Sequence, residues 1–283
     1  MPRRQQATAR QQRLGAELRK LREAAGIKGR EAAALLGTDS AQISQIEAGL
    51  AGVSEERLRR ITAHYNCTDQ ELVEALAGMA GDRSPGWWEE HRGLLPASFL
   101  DLSELEYYAT HRWDVEFLHV PGLLQTEECA RALFSSRVPE LPASDLERRV
   151  QHRMQRRVIL DRERRTTYMA LVHEAALRMM VGSRADARAQ MMRVLELSEA
   201  DHVTVRVIPF GLEHFVDVGA AMVYAGSVVS KLDTVVRDGP HGTVFVDSEA
   251  QLAVFRTHFR RVETMSLDPE RSREFIHKLS KEL

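Results

Sequence analysis

The chain has few of the features that mark secreted, membrane-spanning or zinc-stapled proteins. Only two of its 283 residues are cysteine, which excludes a disulfide framework and a four-cysteine zinc module and is typical of a reducing cytoplasm. No apolar run approaches the roughly 20 residues that span a bilayer. The first residues are charged and lack the apolar core of a secretion signal. We therefore expect a cytoplasmic protein that does not act at a membrane.

The sequence also lacks the short motifs of common enzymes. It has no phosphate-binding loop, no dinucleotide-binding glycine pattern and no nucleophile elbow. His173 and Glu174 resemble the start of a zinc-protease helix, but the second histidine is missing because position 177 is leucine. We expect no catalysis, no cofactor and no metal site.

Charge is nearly balanced overall but unevenly placed. The formal net charge is -2, which excludes a globally basic nucleic-acid coat but not a local basic surface. Residues 1–80 carry a formal +2 and residues 81–283 a formal -4. The first 22 residues hold seven basic side chains and one acid. This start is either a basic arm that lies along a nucleic acid or a solvated tail.

Turn-forming residues divide the chain into two domains. Residues 78–86 read Gly-Met-Ala-Gly-Asp-Arg-Ser-Pro-Gly, a run without periodicity that is typical of a linker. We predict a basic arm and a small domain over 1–80, a hinge over 81–86 and a larger domain over 87–283.

The small domain is predicted to be all helical. Helical spacing of apolar residues, with glycine after each segment, predicts helices over about 14–25, 29–36 and 40–48. A fourth helix opens after Ser54, and a fifth opens at a capping box that begins at Thr68. Five short helices without a strand make a compact all-α domain.

The larger domain mixes strand and helix periods and is predicted to be α+β, with helices at both ends of a small sheet. The predicted strands are 113–120, 166–172, 203–208, 220–225 and 232–237. The predicted helices are 125–134, 145–162, 184–197, 248–262 and one that begins at Asp268-Pro269.

Residues 29–48 have the spacing of a 20-residue helix-turn-helix. Ala33, Gly37 and Ile43 occupy its fifth, ninth and fifteenth positions. The small residue lets two helices cross closely, the glycine permits the left-handed backbone of a tight turn, and the isoleucine fixes the crossing angle from the core. This pattern predicts two crossed helices, the second of which is exposed at its N-terminal end.

That second helix carries short polar side chains where such helices meet the major groove. Either Asp39 or Ser40 caps it, and either Leu35 or Leu36 joins its core. The side chains exposed at its N-terminal end are expected to be Ser40, Ala41, Gln42 and Gln45.

Residues 14–76 resemble the XRE-type, lambda-repressor-like family of helix-turn-helix regulators. The segments that carry the resemblance are LGAELRKLREAAG for the first helix, AQISQIEAG for the recognition helix and VSEERLRRIT for the fourth. The resemblance implies sequence-specific binding to double-stranded DNA, usually by a dimer on a near-palindromic site.

On this resemblance, Gln42 and Gln45 face base edges, where a glutamine can pair with adenine. Ser40 and the amides at the start of its helix reach phosphate, and Lys28 and Arg30 reach the DNA backbone on the other side. The sequence departs from the family at Gln45, where arginine is frequent, and in the uncharged turn AGLAGVS that follows the helix. Fewer phosphate contacts imply weaker non-specific affinity, which the basic arm is a candidate to offset.

The larger domain resembles a C-terminal domain of unassigned function that accompanies this helix-turn-helix in many actinobacterial regulators. The resemblance lies in HVPGLLQTEECARALF, DLERRVQHRMQRRVIL and VTVRVIPF. Such regulators are often encoded beside a small partner protein. The resemblance therefore implies a domain that dimerises, binds a partner or senses a small-molecule effector.

Two groups of side chains in the larger domain are candidates for a partner or ligand site. Tryptophans that follow the hinge either line an aromatic pocket or anchor the core. These tryptophans are Trp87, Trp88 and Trp113. An arginine-rich segment over 148–165 either presents a solvated basic face or docks an acidic partner. Its candidate contact residues are Arg149, Arg153 and Arg156.

Together these patterns predict a non-catalytic transcription regulator. Two copies would read half-sites about one helical turn apart, and the larger domain would receive a protein or small-molecule signal. The alternative is an antitoxin-like interaction protein that neutralises a small cognate partner and regulates its own gene through the helix-turn-helix. A third interpretation is a helical packing unit that binds no DNA.

Overall fold

The computed structural model describes residues 7–82, 84–161, 166–212, 221–239 and 242–283. These residues separate into two compact units, one within Met1–Glu89 and one within Glu90–Leu283. We call them the small unit and the large unit. The predicted hinge at 81–86 precedes this boundary, so Trp87 and Trp88 fall in the small unit.

The part of the small unit that the structure describes folds into five α-helices, which confirms the predicted all-α fold. They are α1 (Ala9–Ala24), α2 (Gly29–Leu35), α3 (Ser40–Glu47), α4 (Glu55–His64) and α5 (Gln70–Gly81). Their inward faces bury Leu18, Leu58 and Leu76, none more than 1% exposed. Since helices this short are marginal in isolation, apolar burial holds them in place.

The start of α5 differs from the prediction by one residue. Ser54 caps α4 as expected, but the capping box at Thr68 is wrong because Asp69 occupies the cap. The Asp69 carboxylate accepts the Leu72 amide hydrogen at 3.0 Å. Both residue types are good caps, so local preference alone does not choose between neighbours.

In the large unit the described residues form eight α-helices. They are α6 (Ala97–Tyr108), α7 (Glu127–Ser135), α8 (Ala143–Gln155), α9 (Val158–Asp161), α10 (Glu174–Arg178), α11 (Arg184–Leu197), α12 (Glu249–Met265) and α13 (Pro269–Glu282). Short 3₁₀ helices lie at Gly122–Leu124 and Ser230–Leu232, and another, Trp87–His91, spans the boundary of the two units along the chain. Asp268 caps α13 and proline occupies its first turn, as predicted.

Six strands of the large unit form one mixed sheet. They are β1 (His111–Glu116), β2 (Thr167–His173), β3 (Val203–Ile208), β4 (Met222–Gly226), β5 (Thr234–Gly239) and β6 (Gly242–Val246), in the order β3-β2-β1-β4-β5-β6. The first three are parallel to one another and the last three join antiparallel. Parallel neighbours need long crossovers and antiparallel ones do not, so helices α7–α11 lie between the parallel strands in sequence. The α+β prediction is confirmed.

Helices cover both faces of this sheet. Ala170 and Leu171 are neighbours on β2 but belong to different core clusters, because successive side chains of a strand point to opposite faces. Val194 of α11 and Ile276 of α13 lie in the cluster of Ala170, and Phe259 of α12 lies in the cluster of Leu171.

Some predicted bounds agree with the structure at both ends and others do not; the first helix, for example, begins at Ala9 and not at residue 14. The strand predicted over 203–208 and the helix predicted over 184–197 agree with β3 and α11 at both ends. The strand predicted over 113–120 begins earlier and stops at Glu116.

The helix predicted over 145–162 is two helices, α8 and α9, interrupted at Arg156 and Arg157. No glycine or proline marks this break. The cause is tertiary, since the Arg156 guanidinium binds Glu106 and that of Arg157 contacts the Gln125 carbonyl.

The sixth strand was not predicted. It follows residues 240–241, which lie outside the described residues, and its Thr-Val-Phe-Val run is short. β-Branched and aromatic residues after glycine were the available signal.

Candidate nucleic-acid interface

The helix-turn-helix consists of α2, a four-residue turn and α3. Gly37 has a φ of 62°, in the left-handed region that glycine adopts without strain. The Thr38 amide donates to the Ala33 carbonyl at 2.9 Å and the Gly37 amide donates to the Ala34 carbonyl at 3.3 Å. These two bonds end α2 in a Schellman motif, so the glycine turn is where the sequence predicted it.

One side of α3 is fixed in the core of the small unit. Ala33, Ile43 and Ile46 are at most 5% exposed. Of the two candidate leucines, Leu36 is 9% exposed and Leu35 is 49% exposed. Leu36 therefore completes the core that sets the crossing of α2 and α3.

Helix α1 lies against the C-terminal end of α3 with backbone touching backbone. Gly15 is buried, and a β-carbon at that position would lie 2.5 Å from the carbonyl oxygens of both Ile46 and Glu47. A side chain cannot be accommodated at that distance in a close-packed interior unless the helices separate. Glycine at position 15 therefore sets the distance between α1 and α3.

Arg22 of α1 holds the last residue of α3. Its Nε donates to Glu47 Oε1 at 2.6 Å, its Nη2 donates to Oε2 at 3.0 Å and its Nη1 donates to the Ile27 carbonyl at 2.8 Å. Both ionic side chains are 12% exposed, so solvent screens this bidentate pair little. The hydrogen bond to Glu47 raises the pKa of Arg22. The end of α3 is thus held by a backbone contact and an ion pair.

The other side of α3 faces solvent. The predicted contact residues that are exposed are Lys28, Arg30, Ser40, Ala41 and Gln45, and Gln42 is half-buried. Lys28 and Arg30 lie at the start of α2, and the other four lie along the first two turns of α3. The structure therefore places all six on the helix-turn-helix, in two groups.

Asp39, not Ser40, caps α3. Its carboxylate accepts the Gln42 amide hydrogen at 2.7 Å, and Ser40 is the first helical residue, whose carbonyl accepts the Ser44 hydroxyl at 2.9 Å. A carboxylate at a helix N-terminus interacts favourably with the helix dipole. It also uses an amide hydrogen that could otherwise bind phosphate, and its negative charge repels phosphate. The start of α3 is accordingly a weaker anion site than sequence alone indicated.

Basic side chains near the N-terminus are engaged within the small unit. Glu17 pairs with Arg13 at 3.1 Å and with Lys20 at 2.8 Å. Arg3 and Arg4 of the predicted basic arm lie outside the described residues. Arg13 therefore supports α1 and does not belong to a free arm.

Among the small-unit residues that the structure describes, four cations have no ion pair and are not otherwise engaged. They are Lys28, Arg30, Arg57 and Arg60. Two of them, Lys28 and Arg30, are the predicted DNA-backbone contacts, and the other two lie on α4. The positioning residues Gly15 and Arg22 were missed, because their partners are distant in sequence.

The three tryptophans belong to two settings. Trp87 and Trp88 meet edge to face with ring centroids 6.0 Å apart, and Trp88 is 2% exposed. Trp113 lies on β1 in the large unit, where it stacks with Tyr224 at 4.8 Å and with Phe259 at 4.7 Å. For Trp113 the structure shows the core-anchoring arrangement.

Arg156 lies inside the large unit, in a buried ionic network. Its Nε donates to Glu106 Oε2 at 2.8 Å and its Nη2 donates to Oε1 at 2.5 Å. Arg112 also contacts Glu106 and donates to both Asp114 oxygens, at 2.7 and 2.8 Å. The Tyr168 hydroxyl donates to Asp114 at 2.8 Å. Because all five side chains are buried, the arginine-rich segment is not a uniformly solvated basic face.

The other two candidate arginines lie over aromatic rings. Arg153 Nη1 donates to Gln125 Oε1 at 2.6 Å, and its guanidinium lies 4.9 Å from the Phe134 ring centroid. Burial lowers the pKa of Arg153 to about 9. The Arg149 guanidinium lies 5.2 Å from the Phe99 ring centroid. Both arginines stay partly exposed, whereas Arg156 is buried. The structure therefore does not bring the three candidates to one surface.

Glu116, the last residue of β1, has an unusually high proton affinity. Burial and then the Asp114 charge raise the pKa of Glu116 to about 8, against the opposing charges of Arg112 and Arg153. The unfolded chain loses this proton near an ordinary glutamate pKa of about 4.3, whereas the folded chain keeps it to about 8. Since the folded state binds more protons between these values, the Glu116 contribution to stability falls as pH rises through that window.

The class of protein defined by this fold and site is a helix-turn-helix DNA-binding protein. A family model described as "Helix-turn-helix domain" matches residues 13–76. A second, described as "Domain of unknown function (DUF5753)", matches residues 99–278, which is more than half of the chain, and the chain belongs to that family. No curated protein and no solved structure matches the chain.

Two further features are absent from the described ranges. No helix there is both long and apolar enough to cross a membrane. No group of three or more histidine, cysteine, aspartate or glutamate side chains in those ranges is arranged to hold a metal ion.

Replacing Gly15 with alanine should separate α1 from α3. We expect Gly15→Ala to destabilise the small unit by about 1–3 kcal/mol, as overpacking does, and to weaken DNA binding. Gly78→Ala is the matched control, because a β-carbon at that exposed position of α5 has no neighbour within 4 Å. Alanine there should stabilise α5 by up to about 1 kcal/mol. Thermal unfolding followed by circular dichroism compares the two, and equal midpoints would contradict the role of Gly15.

Replacing Glu116 with glutamine should remove the loss of folding stability that the Glu116 charge causes at high pH. Above pH 8 we expect Glu116→Gln to unfold at a higher temperature than the wild type, since the folded wild type then carries a desolvated charge. At pH 5 the two should unfold at similar temperatures. Calorimetry at both pH values measures this, with the exposed Glu274→Gln on α13 as control. A variant that follows the wild type at both values would show that Glu116 is not desolvated.

Proposed function

We propose that the chain is a sequence-specific transcription regulator of the actinobacterial XRE type, in which α3 reads the major groove. The observation that carries this proposal is the division of α3 into two sides. Ile43, Ile46 and the Arg22–Glu47 pair hold one side. The other side presents amide and hydroxyl side chains to solvent, which is how a recognition helix is used.

Base contacts rather than phosphate contacts should supply most of the discrimination. The turn after α3 has no charge, and Asp39 occupies the N-terminal end of α3. A protein that neutralises fewer phosphates binds DNA with less sensitivity to salt. Gln42 and Gln45, whose amide groups can pair with adenine, then determine the sequence that is bound.

The regulator is proposed to work as a cytoplasmic homodimer without catalysis. One α3 reads one half-site, so a near-palindromic operator requires two copies. The large unit, which DNA reading by α3 does not require, would receive a protein or small-molecule signal and alter the spacing of the two α3 helices. Its separation from the small unit as a compact body supports this division of labour.

The two glutamines should be required for operator recognition. We expect Gln42→Ala/Gln45→Ala to lose at least tenfold in affinity for DNA from upstream of the gene, because a bidentate base contact is worth about 1–3 kcal/mol. Binding to scrambled DNA should stay the same. Fluorescence anisotropy with labelled duplexes measures both, and Gln251→Ala on the exposed face of α12 is the control. Unchanged preference for upstream DNA in the double variant would refute recognition by α3.

Lys28 and Arg30 should contribute affinity without specificity. We expect Lys28→Ala/Arg30→Ala to lower the slope of log affinity against log salt by about 1.8, which corresponds to two phosphate contacts. The preference for upstream over scrambled DNA should persist. Arg260→Ala/Arg261→Ala, on exposed α12 positions, removes the same charge from the large unit. If both double variants reduced the salt slope equally, Lys28 and Arg30 would not be the specific phosphate contacts, and the prediction would be wrong.

A further inference from the structure

The β3 edge of the large unit's sheet is partly closed by the chain itself. At β3 the Val207 amide donates to the Ser272 hydroxyl at 2.9 Å, and the Val207 carbonyl accepts the Leu267 amide hydrogen at 2.8 Å. Arg206 adds a bond from its Nε to the Leu267 carbonyl at 2.9 Å. The start of α13 and the residues before it therefore occupy the outward-facing backbone groups of Val207.

The opposite edge, β6, is open. Five of its residues pair with β5, from Val235↔Val246 to Gly239↔Gly242. In an antiparallel pair alternate residues direct their N–H and C=O groups away from the neighbour. Within the described ranges of the chain, no hydrogen bond reaches the outward-facing groups of β6. A second extended segment can form hydrogen bonds with all of these outward-facing N–H and C=O groups.

The side chains of β6 do not protect this edge. Natural edge strands are usually blocked by proline, lysine or an inward charge, and Gly242-Thr-Val-Phe-Val246 has none of these. Val244, at the centre, is 57% exposed. The strand is thus an uncharged, β-prone surface that favours the addition of a strand.

We propose that β6 pairs antiparallel with β6 of a second copy of this chain. The two six-stranded sheets then join into one sheet across a two-fold axis at Val244. An antiparallel strand pair is self-complementary under such an axis. Because β6 carries no charge, pairing with its own copy brings no like charges together.

A second copy also fits what the helix-turn-helix needs. A single α3 covers one half-site, so the DNA site is incomplete without another copy; this point rests on the proposed function. Five paired residues bury less than the roughly 1,200 Å² of a standard interface. The dimer is therefore concentration-dependent in solution and strengthened when both copies lie on one operator.

Charge reversal at Val244 tests the pairing directly. Val244→Lys and Val244→Glu each place like charges opposite one another across the axis, and we expect each variant to dimerise up to about fivefold more weakly. An equimolar mixture places lysine opposite glutamate and should restore the dimer. Val254→Lys, at a 51% exposed position of α12, is the control and should dimerise like the wild type. Sedimentation equilibrium of the full chain measures all four.

The folded state of each variant is checked by thermal unfolding, because Val244 faces Arg237 on β5 and the two charges affect that pair differently. Weaker dimers in both single variants with recovery in the mixture support the proposal. A wild type that stays monomeric at the highest soluble concentration overturns it, as does a dimer that neither variant weakens. Stoichiometric capture of a different protein by β6 also overturns it. Upstream-DNA binding is measured separately, so an intact dimer without specific DNA binding would refute the proposed function alone.

Discussion

The packing of α1 against the C-terminal end of α3 is the constraint on which the placement of α3 in the helix-turn-helix depends. A recognition helix of eight residues has little stability of its own. The absent side chain of Gly15 sets its distance from α1, and the Arg22–Glu47 pair holds its last residue. With these interactions in place, the exposed amides of α3 keep one orientation, as a base contact requires.

In both units, several arginines pair with acidic side chains inside the protein and do not face solvent. Arg22 holds α3, and Arg112 and Arg156 share the buried Glu106. A charge removed from water is costly unless it is paired and hydrogen-bonded. An arginine buried in this way therefore needs an acidic side chain as its partner, and that acid is buried with it. In the described part of the small unit, the cations left without an ion pair are few, and the exposed side of α3 carries uncharged side chains.

Long-range pairing explains where prediction from the sequence stopped. The Arg22–Glu47 pair spans 25 residues and the Arg156–Glu106 pair spans 50. Neither separation has a local signature, so the positioning of α3 was missed and α8 was predicted to run through its break at Arg156. Topology, not the properties of the individual residues, decided which arginines lie inside.

The sequence by itself determined the elements that depend on near neighbours. Helical periodicity, the left-handed glycine of the turn at Gly37 and the isoleucine at Ile43 act within a few residues, and the structure places them as predicted. Tertiary structure decided the rest: that Leu36 rather than Leu35 is buried, and that chain segments bond to the edge of β3 but, within the described residues, not to that of β6. Those outcomes depend on which distant segment packs alongside, and a local pattern cannot encode that.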